Sequence, residues 1–213
     1  MLEEVGRTQD AIAEFRRSID VLALNPSSQV ELASALIATG KPQEAKAHTD
    51  AALDLSTDPA FPGLLAVFTA PLTGDYATGL KAAQDPAAQA PPELQSAVIA
   101  AFEAMISGNP HANASAADRL VALPVGMGAL LKVRLLGALG ANAQALRMLE
   151  GAVAANRAGL RATLFEPTLA GARADPDFPG VLLRLGLIRY WKASHTRPDF
   201  CTVPNAPTVC RSI

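Results

Sequence analysis

The chain has 213 residues, half of them hydrophobic but only 5% aromatic, and a formal net charge of −2. So even a charge balance leaves no electrostatic footprint for nucleic acid, and no direct nucleic-acid binding is expected. Ala and Leu carry most of the apolar count, while strand formers are sparse and no stretch alternates apolar and polar residues for long. A β core is thereby excluded in favour of an all-α fold of closely packed helices.

The most apolar stretch, 121–139, is interrupted by Pro124, Gly126, Gly128, Lys132 and Arg134. A spanning helix needs roughly 20 nearly uninterrupted apolar residues, so no membrane span is expected. The first six residues are acidic and lack the charged-then-apolar layout of a signal peptide. If Met1 is the true start, the expected compartment is the cytoplasm. The periplasm is the alternative if the chain is a fragment of a membrane-anchored regulator.

Taken in chain order, the first marker is Gly6, followed by Ala11 and Phe15 at the opening of a helix. Gly40, Ala45 and Thr49 repeat that pattern 34 residues later, and Pro26 and Pro59 close the two units. Glycine allows a tight interhelical turn, and alanine lets the second helix press close to the first. Leu32, Ala33 and Leu36 share one face of the helix before Gly40. Gly74 opens a third copy after a helix near 62–72, but Gly79 stands where Ala is expected. Helices at 93–106 and 114–123 lack the marker residues, so the array is expected to be degenerate in its middle. Gly140, Ala145 and Leu149 restore the pattern.

A 34-residue helix–turn–helix period resembles the tetratricopeptide repeat. That resemblance implies an α-solenoid of helical hairpins over 1–163, and a C-terminal capping helix with an irregular Pro/Cys tail over 164–213. The first unit starts at its turn, with its leading helix mostly missing. An array opening in mid-unit is expected to bare Ile12, Phe15 and Ile19. A late start, a gene remnant or a covering partner would each account for this. A fragment of a longer signalling protein is the favoured reading, with self-association through the N-terminal face as a further possibility.

The tail opens on Leu164, Phe165, Pro167 and Leu169, then runs through Asp175, Asp177 and Phe178. Leu185, Tyr190 and Trp191 lead to Arg197, Asp199, Phe200 and Cys201. Over about 164–210 it resembles the end of bacterial signalling proteins in which tetratricopeptide repeats follow a winged-helix or adenylate-cyclase-type domain, often with a TolB-like segment between. This resemblance implies a sensory or coupling role and carries no catalytic residue. Physically, an amphipathic helix over 180–194 is expected to bury Val181, Leu182, Leu185, Ile188, Tyr190 and Trp191 while Arg184, Arg189 and Lys192 stay in water. Trp191 reads as a packing anchor, and Phe200 is placed to fold back as a cap on the array.

Cys201 and Cys210 are the only cysteines. They either close a small disulfide loop, worth roughly 2–3 kcal/mol in the chain-entropy model and durable only in an oxidising compartment, or remain two surface thiols. The resemblance implies that the pair recurs. No metal site is expected, because there is no third cysteine and the histidines, 48, 111 and 195, are scattered. No phosphate loop, nucleophile elbow or zinc-binding helix occurs, so no catalytic residue and no cofactor is expected. Asp175, Asp177 and Asp199 read as turn or cap residues.

Function must then reside in surfaces. In the repeat register the first helix of each pair lines a concave groove: Val30, Ser34 and Ile37, then Leu64 and Phe68, then Leu130 and Arg134. A mostly apolar lining of this kind suits a helix or apolar segment of a protein partner; equally, these residues could simply pack on neighbouring helices. The leading reading is a non-catalytic interaction scaffold. The alternative is a small-molecule-binding or enzyme-accessory helical domain with a pocket around 102–124.

Overall fold

A computed structural model describes residues 2–85, 90–155, 159–203 and 206–213; Met1, and with it the question of the start, lies outside them. The described residues form helices and turns with no strand among them. The helices are α1 (Thr8–Val21), α2 (Pro26–Ala38), α3 (Pro42–Leu55), α4 (Phe61–Thr73), α5 (Tyr76–Ala83), α6 (Pro92–Ser107), α7 (Pro110–Ala122), α8 (Ala129–Ala138) and α9 (Asn142–Ala154). Their starts follow local chemistry. Proline opens α2, α3, α6 and α7, where its missing N–H is no loss. Asn25 and Asn109 cap α2 and α7, each side chain accepting a backbone N–H at 2.9 Å.

Gly40, Gly74, Gly108 and Gly140 join the pairs α2/α3, α4/α5, α6/α7 and α8/α9, all in the left-handed region with φ between 63° and 78°. Gly6 adopts the same conformation ahead of α1. From Gly6 to Gly108 these turns recur every 34 residues. The middle pair therefore shares the turn, contrary to the expected degeneracy. What it lacks is the small residue five places on, where half-buried Asn113 stands. Elsewhere that position holds Ala11, Ala45 and Ala145, all buried. Gly79 fills it in the α4/α5 pair for a steric reason. A Cβ there would stand 2.7 Å from Cζ of Phe102, which α6 buries completely.

Two hydrophobic clusters hold most of the helices. The smaller joins Ile12, Leu32, Leu36, Ile37 and Ala45 to Leu72 of α4. Ile12 is only 2% exposed, with Phe15 and Ile19 half-buried beside it, so the face expected to be bare packs on α2. The large apolar residues exposed at that end are instead Val21, Leu22 and Leu24, at 81%, 54% and 82%. The larger cluster extends from Val67 through α6, α8 and α9 to Trp191 and Cys210, so the tail and the later hairpins share one core.

After α9 the chain runs through 3₁₀ turns at Leu160–Phe165, Pro167–Leu169 and Gly171–Ala174. Two short helices follow, α10 (Phe178–Arg184) and α11 (Leu187–Ser194). The single helix expected over 180–194 is thus broken, because Gly186 turns left-handed at φ 76°. Val181, Leu182, Leu187 and Trp191 are buried and Leu185 and Ile188 half-buried, whereas Tyr190, expected on the same face, is exposed with Arg184, Arg189 and Lys192. Final 3₁₀ turns span Asp199–Cys201 and Thr208–Ser212. Among the described residues no helix is long and apolar enough to cross a membrane.

Candidate functional site

α4, α5, α6 and the start of α8 enclose a cleft of about 400 Å³. Leu64, Val67 and Phe68 of α4 form one wall, with Leu94 and Val98 of α6 and Leu131 of α8 opposite. The helices can close round it because α5 seats Gly79 against Phe102, which draws α5 and α6 together. Leu64 is 56% exposed, so this wall of the cleft opens partly to solvent. The charged side chains at the rim are Asp58 and Asp85. Asp58 also accepts the N–H of Ala60 at 2.9 Å, fixing the turn into α4.

Of the expected groove residues, Leu64 and Phe68 therefore meet in this cleft. Val30 and Ser34 are half-buried on α2, and Ile37 lies inside the smaller cluster. Leu130 packs beside Ala129, Ala152 and Leu160. Arg134 is 7% exposed, and its guanidinium is fully engaged. Nε and Nη2 donate to the two carboxylate oxygens of Glu166 at 2.9 and 2.5 Å, and Nη1 donates to the Phe68 carbonyl at 3.3 Å. A forked, charge-assisted contact of this kind fixes orientation as well as distance. It ties α8 and the 3₁₀ segment to the back of α4, behind Phe68.

Two other charged groups, buried Lys132 and half-buried Glu3, escape local sequence reasoning. Lys132 is wholly buried, and its ammonium donates to the carbonyls of Leu123 and Pro124 at 3.1 and 2.8 Å. It closes the end of α7, and burial holds its pKa below the ordinary lysine value. Its only signal is a cation inside an apolar run, and the carbonyls it meets have no side-chain signature. Glu3 has its pKa pushed up to about 7, first by burial and then by the neighbouring Glu166 carboxylate.

A second crevice, of about 700 Å³, lies where Gly6, Thr8 and Gln9 meet Thr39, Phe165, Arg173, Asp199 and Phe200. Arg173 donates from Nη1 to the carbonyls of Leu164 and Glu166 at 2.8 and 3.3 Å. Burial lowers its pKa. Beside it, four rings converge: Phe200 stacks on Phe165 at 5.9 Å and meets Phe178 and Trp191 edge-on, each at 6.1 Å. Cys201 and Cys210 are joined by a disulfide with their Cα atoms 5.4 Å apart. The α6/α7 surface, where the small-molecule reading expected a pocket, carries a hollow of about 330 Å³ with Glu103 and Arg119 among its lining residues. Phe102 itself is withdrawn into the core.

Among the described residues no three His, Cys, Asp or Glu side chains converge as metal ligands. Comparison with family models, with curated proteins and with solved structures gives no significant match to this chain.

Proposed function

We propose that this chain is a protein-interaction scaffold of the tetratricopeptide type, and that its α4–α6–α8 cleft takes an apolar segment of a protein partner. The observation that carries this reading is the cleft itself: a hollow of about 400 Å³ walled by large aliphatic and aromatic side chains, with Leu64 left half in water. A hollow lined by large apolar side chains suits an apolar helix or segment of a partner. The recurring left-handed glycine turns support the repeat assignment. Sequence resemblance in the tail supports a place at the sensory or coupling end of a bacterial signalling protein. The Cys201–Cys210 disulfide supports the oxidising, extracytoplasmic compartment over the cytoplasm.

A photo-crosslinking residue in place of Leu64, expressed in the source cell, tests this directly. A covalent adduct with one polypeptide, lost on Val98→Arg, is expected. An adduct no stronger than that from the same residue at Tyr190, on α11, would sink the proposal. A second reading, a small-molecule site, is favoured by the cleft's volume, which falls in the range of about 300–1,000 Å³ usual for such ligands. Native mass spectrometry separates the two: a small co-purifying mass that Leu64→Arg abolishes supports the second.

A further inference from the structure

We propose that the turns Asp199–Cys201 and Thr208–Ser212, joined by the Cys201–Cys210 disulfide, form a redox-sensitive clasp that holds the start of α1 against the tail. α1 begins at Thr8 with no side-chain cap of its own. Its cap comes from Asp199 instead, whose Oδ2 accepts the Gln9 N–H at 2.9 Å. The Asp199 N–H in turn donates to the Gly6 carbonyl at 2.7 Å. Trp191 adds a third tie, donating from Nε1 to the Val5 carbonyl at 2.8 Å. The approach is close enough that a Cβ on Gly6 would stand 2.8 Å from Pro198.

What keeps Asp199 in place lies on either side of it. Phe200 is held in the ring cluster, and Cys201 is bonded to Cys210. Cys210 and its neighbour Val209 are buried in the larger core. The disulfide therefore moors the capping segment to the body of the protein. Cutting it leaves residues 198–201 held by the chain from α11, the ring contacts and the hydrogen bonds of Asp199 itself, with no covalent tie to the core on their C-terminal side. A dithiol reductant supplies the chemistry. Its thiolate attacks Cys201, the less buried sulfur, and Cys210 leaves as a thiolate that takes up a proton. The second reductant thiol then displaces Cys201 as a thiol, and the reductant ends as its own disulfide. The clasp is closed in an oxidising compartment and released in a thiol-rich one.

Amide hydrogen exchange on the full chain, oxidised and then reduced with dithiothreitol, reads this directly once thiol titration confirms that the bond is cut. Protection of the Gln9 and Asp199 amides is expected to fall by roughly a hundredfold, the chain-entropy value of releasing a loop of about ten residues. The Leu139 amide, bonded to the Leu135 carbonyl at the end of α8, is expected to exchange more slowly than either in both states. The Cys201→Ser/Cys210→Ser protein is expected to show the reduced pattern without reductant. Unchanged protection at Gln9 and Asp199 overturns the clasp. Gln9 and Asp199 amides that exchange no faster than Leu139 in the reduced protein also overturn it, because the segment would then open only with the whole fold.

Discussion

Gly79 offers the sharpest test of how the cleft is built. In Gly79→Ala the new Cβ would stand 2.5 Å from the Cβ of Ala70 and 2.7 Å from Cζ of Phe102. Both neighbours are buried, and Phe102 has no solvent side to retreat to. Alanine in place of a mid-helix glycine ordinarily gains about 1 kcal/mol. Overpacking a close-packed site ordinarily costs about 1–3 kcal/mol, and pressure from two helices at once places this site near the upper end. The net expectation is a loss of about 1–2 kcal/mol. For a chain of this size that is a fall in Tm of roughly 3–6 °C. Urea and thermal unfolding of Gly79→Ala, Phe102→Leu and the double variant form the assay. Phe102→Leu is expected to destabilise the parent but to cost much less in the Gly79→Ala background, a favourable coupling between contacting residues. A rise in Tm for Gly79→Ala, or strict additivity in the cycle, would refute the packing argument.

Three further outcomes follow from particular residues. Gly108→Ala is expected to cost about 1–2 kcal/mol in denaturant melts, since φ is 63° and no atom stands near the new Cβ, so the penalty is purely conformational; loss of the turn on D-alanine substitution by semisynthesis would contradict this. Arg134→Met is expected to cost about 3–5 kcal/mol by stranding the buried Glu166 carboxylate, and Arg134→Met/Glu166→Leu is expected to recover most of that stability; equal losses in the single and double variants would show that the pair itself is not responsible. Glu3 gives a pH dependence. Its folded pKa of about 7 lies above the ordinary glutamate value of 4.5, so the neutral carboxyl is the form the fold prefers. Its contribution is complete below pH 4.5 and is lost as pH rises towards 7 and beyond. Melts from pH 5 to pH 8 should show wild type losing Tm relative to Glu3→Gln, and parallel curves would count against a buried Glu3.

The hairpin array was legible because its markers act locally. A left-handed glycine and a small residue one helical turn and a half later report on contacts within a single pair. Gly108 went unread because Asn113 stands where its alanine belongs, although the backbone turn needs only the glycine. Gly186 was passed over because the apolar periodicity on either side of it suits one continuous helix. The repeat register places Arg134 on the groove-lining face of α8, and its partner Glu166 stands at the bend between two 3₁₀ turns, which has no periodic signature. Which first helices approach one another depends on the curvature accumulated over several hairpins. No local pattern in α4 or α8 encodes that Phe68 and Arg134 meet. Leu64 and Phe68 were identifiable as face positions of α4, while the opposite wall from α6 and α8 was not.

The bonds from Val5, Gly6 and Gln9 to Trp191 and Asp199 also bear on how the protein comes apart. A linear solenoid is close to a one-dimensional Ising chain: each repeat touches only its neighbours, so melting starts at a terminus and spreads inward. Here the helix that would fray first is fastened to the segment that would fray at the other extreme. Neither can peel away without disturbing the other. Unfolding should then lose its gradual, end-inward character and approach a single cooperative step, as in a ring rather than a rod.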